Sequence, residues 1–139
     1  MKVYRSASPE ETRRVAAVLA AELRAGSVIA LHGDLGSGKT TFVKGLAAAL
    51  GVQDLVTSPS FSLIQEYEGQ VPFFHVDLYR LQGPQEVELL DLAPVLDAGG
   101  ITVIEWAERA GDTLPEHAIH VTLRVEQDAA RSITVEEPA

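Results

Sequence analysis

The chain has 139 residues, a length that suits one domain burying roughly two thirds of the surface exposed when unfolded, with no comfortable room for a second. Eleven basic residues face twenty acidic ones, and the net charge of −9 is the opposite of the basic footprint of a protein that grips nucleic acid by itself. The absence of cysteine excludes disulfides, thiolate nucleophiles and cysteine-bearing zinc sites.

No apolar run approaches the roughly 20 residues of a membrane span, and Met1-Lys2-Val3-Tyr4-Arg5 lacks the apolar core of a signal peptide, so a soluble cytoplasmic protein is expected. Ser8-Pro9-Glu10-Glu11 then predicts a helix start, with Ser8 as N-cap, Pro9 at the first helical position and Glu11 closing a capping box. Val15, Val18, Leu19 and Leu23 share one face and Gly26 can end the helix, which is expected over residues 9 to about 25.

Residues 28–31 are apolar throughout, as in a parallel strand covered on both faces. The octet Gly33-Asp34-Leu35-Gly36-Ser37-Gly38-Lys39-Thr40 fits the phosphate-binding pattern G-x-x-x-x-G-K-[ST] at every defined position. A helix is expected over residues 39–50, with Phe42, Val43, Leu46 and Leu50 at helical spacing and Gly51 at its end.

A polyphosphate is wrapped by backbone only where side chains do not intervene. Gly33, Gly36 and Gly38 permit φ > 0 and let successive N–H groups approach an anion. The following helix adds the orphan donors of its first turn and roughly half a unit of positive charge. In this reading Lys39 reaches the β- and γ-phosphates and the Thr40 hydroxyl ligates magnesium. A glycine-rich turn that binds nothing is the bland alternative, and the strand and helix flanking the loop argue against it.

Such a site needs a carboxylate at the end of a neighbouring strand to help hold magnesium. Residues 61–68 and 71–76, split by Gly69-Gln70, read as a hairpin that ends on Asp77. Residues 101–104 are a buried-strand candidate followed by Glu105-Trp106. Glu105 occupies the Walker B position, or alternatively the first turn of a helix, where an acid favours the dipole; Asp77 is a second candidate, or a capping aspartate. Thr57-Ser58-Pro59-Ser60 lies where switch loops sit and offers hydroxyls toward a γ-phosphate, or is an ordinary proline turn. His75 and Trp106 read on chemistry alone as structural. A short helix is expected from Pro84, and residues 118–125 and 131–135 form a last pair of strands. The expected class is α/β: a P-loop NTPase fold with a mostly parallel central sheet, antiparallel additions and helices on both faces.

Taken in order, Gly33 through Thr41, Thr57-Ser58-Pro59-Ser60-Phe61, His75-Val76-Asp77-Leu78-Tyr79-Arg80 and Ile104-Glu105-Trp106 resemble the TsaE family, also called YjeE. The departures are mild: Ser37 where the family often has alanine, and Ser60 where it often has threonine. The resemblance implies a small bacterial ATPase using ATP and Mg2+ in the formation of threonylcarbamoyladenosine beside the tRNA anticodon. It implies phosphate binding by Gly36, Ser37, Gly38, Lys39, Thr40 and Thr41, and magnesium held by Thr40 and Glu105. It gives Asp77 a supporting role toward magnesium or the hydrolytic water, Thr57 a place in the switch-like loop, and Trp106 a part in activity or partner contact. Thr12 and Arg131 are nominated for adenine. The implied partners are TsaD and TsaB, with tRNA reached only through them.

A small-molecule kinase, a GTPase switch and a non-catalytic nucleotide scaffold compete with this reading. The kinase lacks room for an acceptor-binding insertion and a lid. The GTPase lacks an Asn-Lys-x-Asp element, since the chain has no asparagine. No arginine is clearly placed as a finger, although Arg80 is a candidate, so hydrolysis is expected to be slow alone and faster in complex.

Overall fold

The computed structural model describes residues 1–34, 36–57, 59 and 63–138. Among them the strands are β1 (Lys2–Ser6), β2 (Val28–His32), β3 (Ile64–Tyr67), β4 (Phe73–Asp77), β5 (Ile101–Glu105), β6 (Ile119–Val125) and β7 (Arg131–Glu136). The helices are α1 (Pro9–Ala20), α2 (Lys39–Ala49), α3 (Pro84–Leu90) and α4 (Ala93–Leu96), with a 3-10 segment over Ala107–Thr113. The strands form one sheet in the order β1-β7-β6-β2-β5-β4-β3. Its centre, β6-β2-β5-β4, is parallel, and the pairs β1–β7, β7–β6 and β3–β4 are antiparallel.

Side-chain alternation splits the core into two layers. Ile29, Leu31, Phe73, Ile101, Val103, Val121 and Leu123 face one side, where Leu19 of α1 and Phe42, Val43 and Leu46 of α2 close over them. Val28, Ala30, Val76 and Ile104 face the other, against Val87 of α3, Ala107 and Ala110. Coverage on both faces explains why β2 and β5 are apolar nearly throughout rather than alternating. Helices α1 and α2 approach closely at Gly45, where a Cβ would stand 2.8 Å from Arg13 Cα and 2.9 Å from Ala16 Cβ. Backbone cannot yield there, so the clash outweighs the ~1 kcal/mol helix-propensity gain of alanine. Gly45→Ala is expected to destabilise by about 1–2 kcal/mol, read as a lower urea midpoint at unchanged slope.

Several boundaries differ from the expectations. Strand β1 was not anticipated: as an edge strand it depends on backbone pairing with β7, and only Ser6 within it is fully buried. Helix α1 starts as expected, with the Ser8 hydroxyl accepting from Glu11 N–H, although the Glu11 carboxylate reaches the N–H of Ala7. It stops at Ala20 rather than near Ala25, because the chain turns there to enter the sheet and the Gly26 N–H donates to Gly100 O at 2.7 Å. The hairpin connection is longer than the Gly69-Gln70 turn, since Tyr67 pairs with Phe73. Docking on α2 accounts for this: Gln70 N–H donates to Leu50 O, and a Cβ on Gly69 would lie 2.7 Å from that oxygen. Among the described residues no helix is long and apolar enough to cross a membrane.

Candidate functional site

The parallel strands deliver their carboxyl ends to one edge of the sheet, where open α/β sheets bind ligands. There Glu105 pairs in register with Leu31 on one side and with Asp77 on the other. Their odd numbering puts His75, Asp77 and Glu105 on the face covered by α2. Glu105 is the last residue of β5, so its alternative place in a helical turn does not apply. Trp106 follows with φ 57° and ψ 41°, a left-handed conformation uncommon for a bulky side chain, which turns the chain sharply away.

The loop after β2 fits its glycine pattern to its shape. Gly33 has φ 149°, and a Cβ on it would meet Ser37 Oγ at 2.6 Å and Leu123 O at 2.7 Å. Gly36 and Gly38 are both left-handed, at φ 81° and 103°. Gly38 is the N-cap of α2, and no side chain caps that first turn. The backbone donors of that helix start are thus without a side-chain acceptor.

A cavity of about 480 Å³ opens here, bringing together Gly36, Gly38, Lys39, Thr40, Thr41, Asp77, Glu105, Trp106 and Arg131, with Tyr79. Lys39 is only 6 % exposed, and its Nζ is buried without a hydrogen-bond partner. The ammonium rests 3.8 Å from the centre of the Trp106 ring. Burial pushes the Lys39 pKa below the usual lysine value, against the opposing pull of Glu105, Glu108, Asp77 and Asp34. Trp106 is flanked by the Tyr79 ring at 5.0 Å and the Arg109 guanidinium at 5.5 Å. Asp77 accepts the N–H of Tyr79 at 2.9 Å, and Glu105 is bonded by His75 at 2.5 Å.

Arg131 ties the far strand β7 to this loop. Its Nε–H donates to Ser37 O at 3.1 Å and its terminal nitrogens reach Gly36 O and Ala129 O. A second cavity of about 200 Å³, lined by Ser6, Pro9, Thr12, Gly38, Thr41 and Arg131, adjoins the first and shares Gly38, Thr41 and Arg131 with it. Thr12 is buried, its hydroxyl 2.7 Å from that of Ser6. A larger cavity of about 530 Å³ lies at the opposite strand ends, near Ser27 and Ile119, away from the glycine loop. The strand-end rule favours the loop cavity as the place for chemistry.

Some nominated residues stand outside this group. Ser37 is buried behind the loop with an unpartnered hydroxyl, and Gly33 borders a neighbouring cavity with His32 and Trp106. Thr57 is exposed, its N–H 3.3 Å from the Tyr67 hydroxyl, and lines neither cavity. Ser60 lies outside the described residues. Among the described residues no three acids or histidines cluster as they would in a ready metal cage. Sequence reasoning gave no role to His75, Tyr79 or Arg109, which the fold brings against Glu105 and Trp106. For His75 the signal was present: it shares β4 parity with Asp77, so a strand that ends on a candidate acid also presents the histidine to the same face.

Comparison with known proteins follows the same outline. Residues 6–133 match the family described as Threonylcarbamoyl adenosine biosynthesis protein TsaE. The tRNA threonylcarbamoyladenosine biosynthesis protein TsaE of Treponema pallidum is 42 % identical over 130 residues, 94 % of this chain and 96 % of that protein. The protein of the same name from Bacillus subtilis is 39 % identical over 94 % of this chain and 82 % of its own length. The crystal structure of Bacillus subtilis YdiB superposes with a TM-score of 0.86 at 34 % identity, covering 99 % of this chain and 86 % of that one. By sequence over nearly its whole length, and by fold, the chain belongs to the TsaE family.

Proposed function

We propose that this chain is a single-domain P-loop ATPase that hydrolyses ATP with magnesium to support the TsaB–TsaD machinery forming threonylcarbamoyladenosine beside the tRNA anticodon. The observation that carries the reading is Lys39: an ammonium buried without a hydrogen-bond partner, at an uncapped helix start, in a cavity that also holds two strand-end carboxylates. A polyphosphate supplies the acceptors that this arrangement lacks. The relatives' names support the pathway, and family membership supports partners from the same pathway.

In this function the loop amides and Lys39 hold the β- and γ-phosphates, and Thr40 and Glu105 would hold magnesium, with Asp77 beside them or beside the attacking water. Magnesium, when bound, neutralises phosphate charge. The smaller cavity between Thr12 and Arg131 takes the adenine. The net charge of −9 fits a chain that meets tRNA through partners rather than directly.

Phosphate release from ATP, measured alone and with purified TsaB–TsaD, tests the proposal. Slow release that rises at least about tenfold in the complex is expected, because Arg131, the one arginine lining the cavity among the described residues, is engaged by the carbonyls of Ser37 and Gly36, and fingers supply about 10³–10⁵ elsewhere. Equal turnover with and without the partners contradicts the coupling. Phosphate passed to a metabolite identifies a kinase, and tighter binding of GTP than of ATP identifies a GTPase.

A further inference from the structure

His75 is entirely buried in β4, on the same sheet face as Phe73, where an apolar residue would satisfy the packing. Its Nε2 stands 2.5 Å from Oε2 of Glu105, itself 4 % exposed, while its Nδ1 is buried with no partner. An orphaned ring nitrogen is a net cost to folding, so fold stability alone does not account for an imidazole here. The two side chains are diagonal neighbours on adjacent parallel strands, since His75 pairs with Val103, two residues before Glu105. The bond therefore runs along one sheet face toward the carboxyl ends, and its acceptor is a residue that lines the phosphate cavity.

We propose that His75 is a positioning residue for Glu105: its buried Nε2–H···Oε2 bond sets the orientation of the carboxylate toward a divalent cation carried in with the nucleotide. The inference rests on the ATPase reading above and adds a role that reading does not contain. A carboxylate at a strand end has two free side-chain torsions beyond its Cβ. One short bond from a rigid ring on the neighbouring strand removes that freedom and supplies the donor a buried carboxylate needs. No direct contact between His75 and nucleotide is required, and His75 does not line either cavity beside the loop.

The test measures affinity for a non-hydrolysable ATP analogue with and without Mg2+. In His75→Phe, which keeps the volume and loses the donor, the metal-free affinity is expected within about twofold of wild type. The half-saturating Mg2+ concentration should rise about 10–100-fold, the range seen when a ligand's supporting partner is removed. His75→Gln, whose amide reaches the Nε2 position, should recover most of the metal dependence, and the equally polar but shorter His75→Asn should not. The Gln–Asn contrast decides the matter even if His75→Phe folds poorly. Wild-type Mg2+ dependence in the Phe and Asn variants, or Gln and Asn behaving alike, overturns the inference while leaving the ATPase reading intact. A wild-type chain whose affinity ignores Mg2+ overturns both.

Discussion

Glu105→Gln is expected to keep nucleotide and to lose hydrolysis by about 10²–10³-fold, the effect of removing one preorganised electrostatic group from a reacting site. The substitution preserves volume at a residue only 4 % exposed, so the strand end and its pairing with Leu31 and Asp77 should survive. What disappears is the negative charge that pulls on Lys39 and that the proposed function assigns to the cation. Asp77 is the weaker substitute: it is more exposed, and one of its oxygens already accepts the N–H of Tyr79. Metal-free affinity for ATP should change by no more than a few-fold, because the proposed function gives the phosphates to the loop amides rather than to this acid. Steady-state phosphate release alongside equilibrium binding checks both halves. Hydrolysis within about threefold of wild type in Glu105→Gln would remove this residue from the mechanism.

Much of the architecture was legible because periodicity and punctuation agree in the middle of the chain. Val28 to Leu31 is buried, the glycine octet follows close behind, and Phe42, Val43 and Leu46 recur at helical spacing on the face that meets the sheet. Edges were less legible. In β1 the pattern Lys2-Val3-Tyr4-Arg5-Ser6 has no clean alternation, since its pairing with β7 comes from backbone groups that leave no mark on side-chain choice. The end of α1 was misplaced for a similar reason. Leu23 continues the apolar spacing past Ala20, but contact between Gly26 and Gly100, 74 positions away, decides where the chain turns.

The site divides along the same line. Of the contiguous motif, spacing nominated Gly36, Gly38, Lys39, Thr40 and Thr41, which do line one cavity together with Glu105 and Asp77, nominated from their places after apolar runs, whereas Gly33 and Ser37 fall outside that lining. Arg131 and Thr12 meet Gly38 and Thr41 only through the order of β1, β7 and β6 in the sheet, which no local pattern reveals. His75 read as structural because a lone histidine at a strand end is more often structural than catalytic. Its bond to Glu105 emerges only once β4 and β5 lie side by side.

Lys39→Met should abolish productive ATP binding and at the same time stabilise the nucleotide-free protein. The two effects have one cause. Nζ is buried, makes no hydrogen bond and is held with its pKa below the usual lysine range, so the folded chain disfavours the charged form. Methionine removes that desolvation cost, about 1–3 kcal/mol for an unsatisfied buried group. It forfeits the cation–π contact with Trp106, about 0.5–2 kcal/mol, and replaces part of it with a sulfur–aromatic contact of about 0.3–1.5 kcal/mol. The balance is a gain of about 1 kcal/mol, or a Tm higher by roughly 3–6 °C for a chain of this length. ATP affinity should fall at least about 100-fold, since a buried charge-assisted contact to phosphate is lost with nothing nearby to take its place. Thermal melts without nucleotide and calorimetric titration with ATP measure the two halves separately. A residue kept for packing would show the reverse sign in the melt. Retained affinity in Lys39→Met would mean that the phosphates lie elsewhere on the molecule.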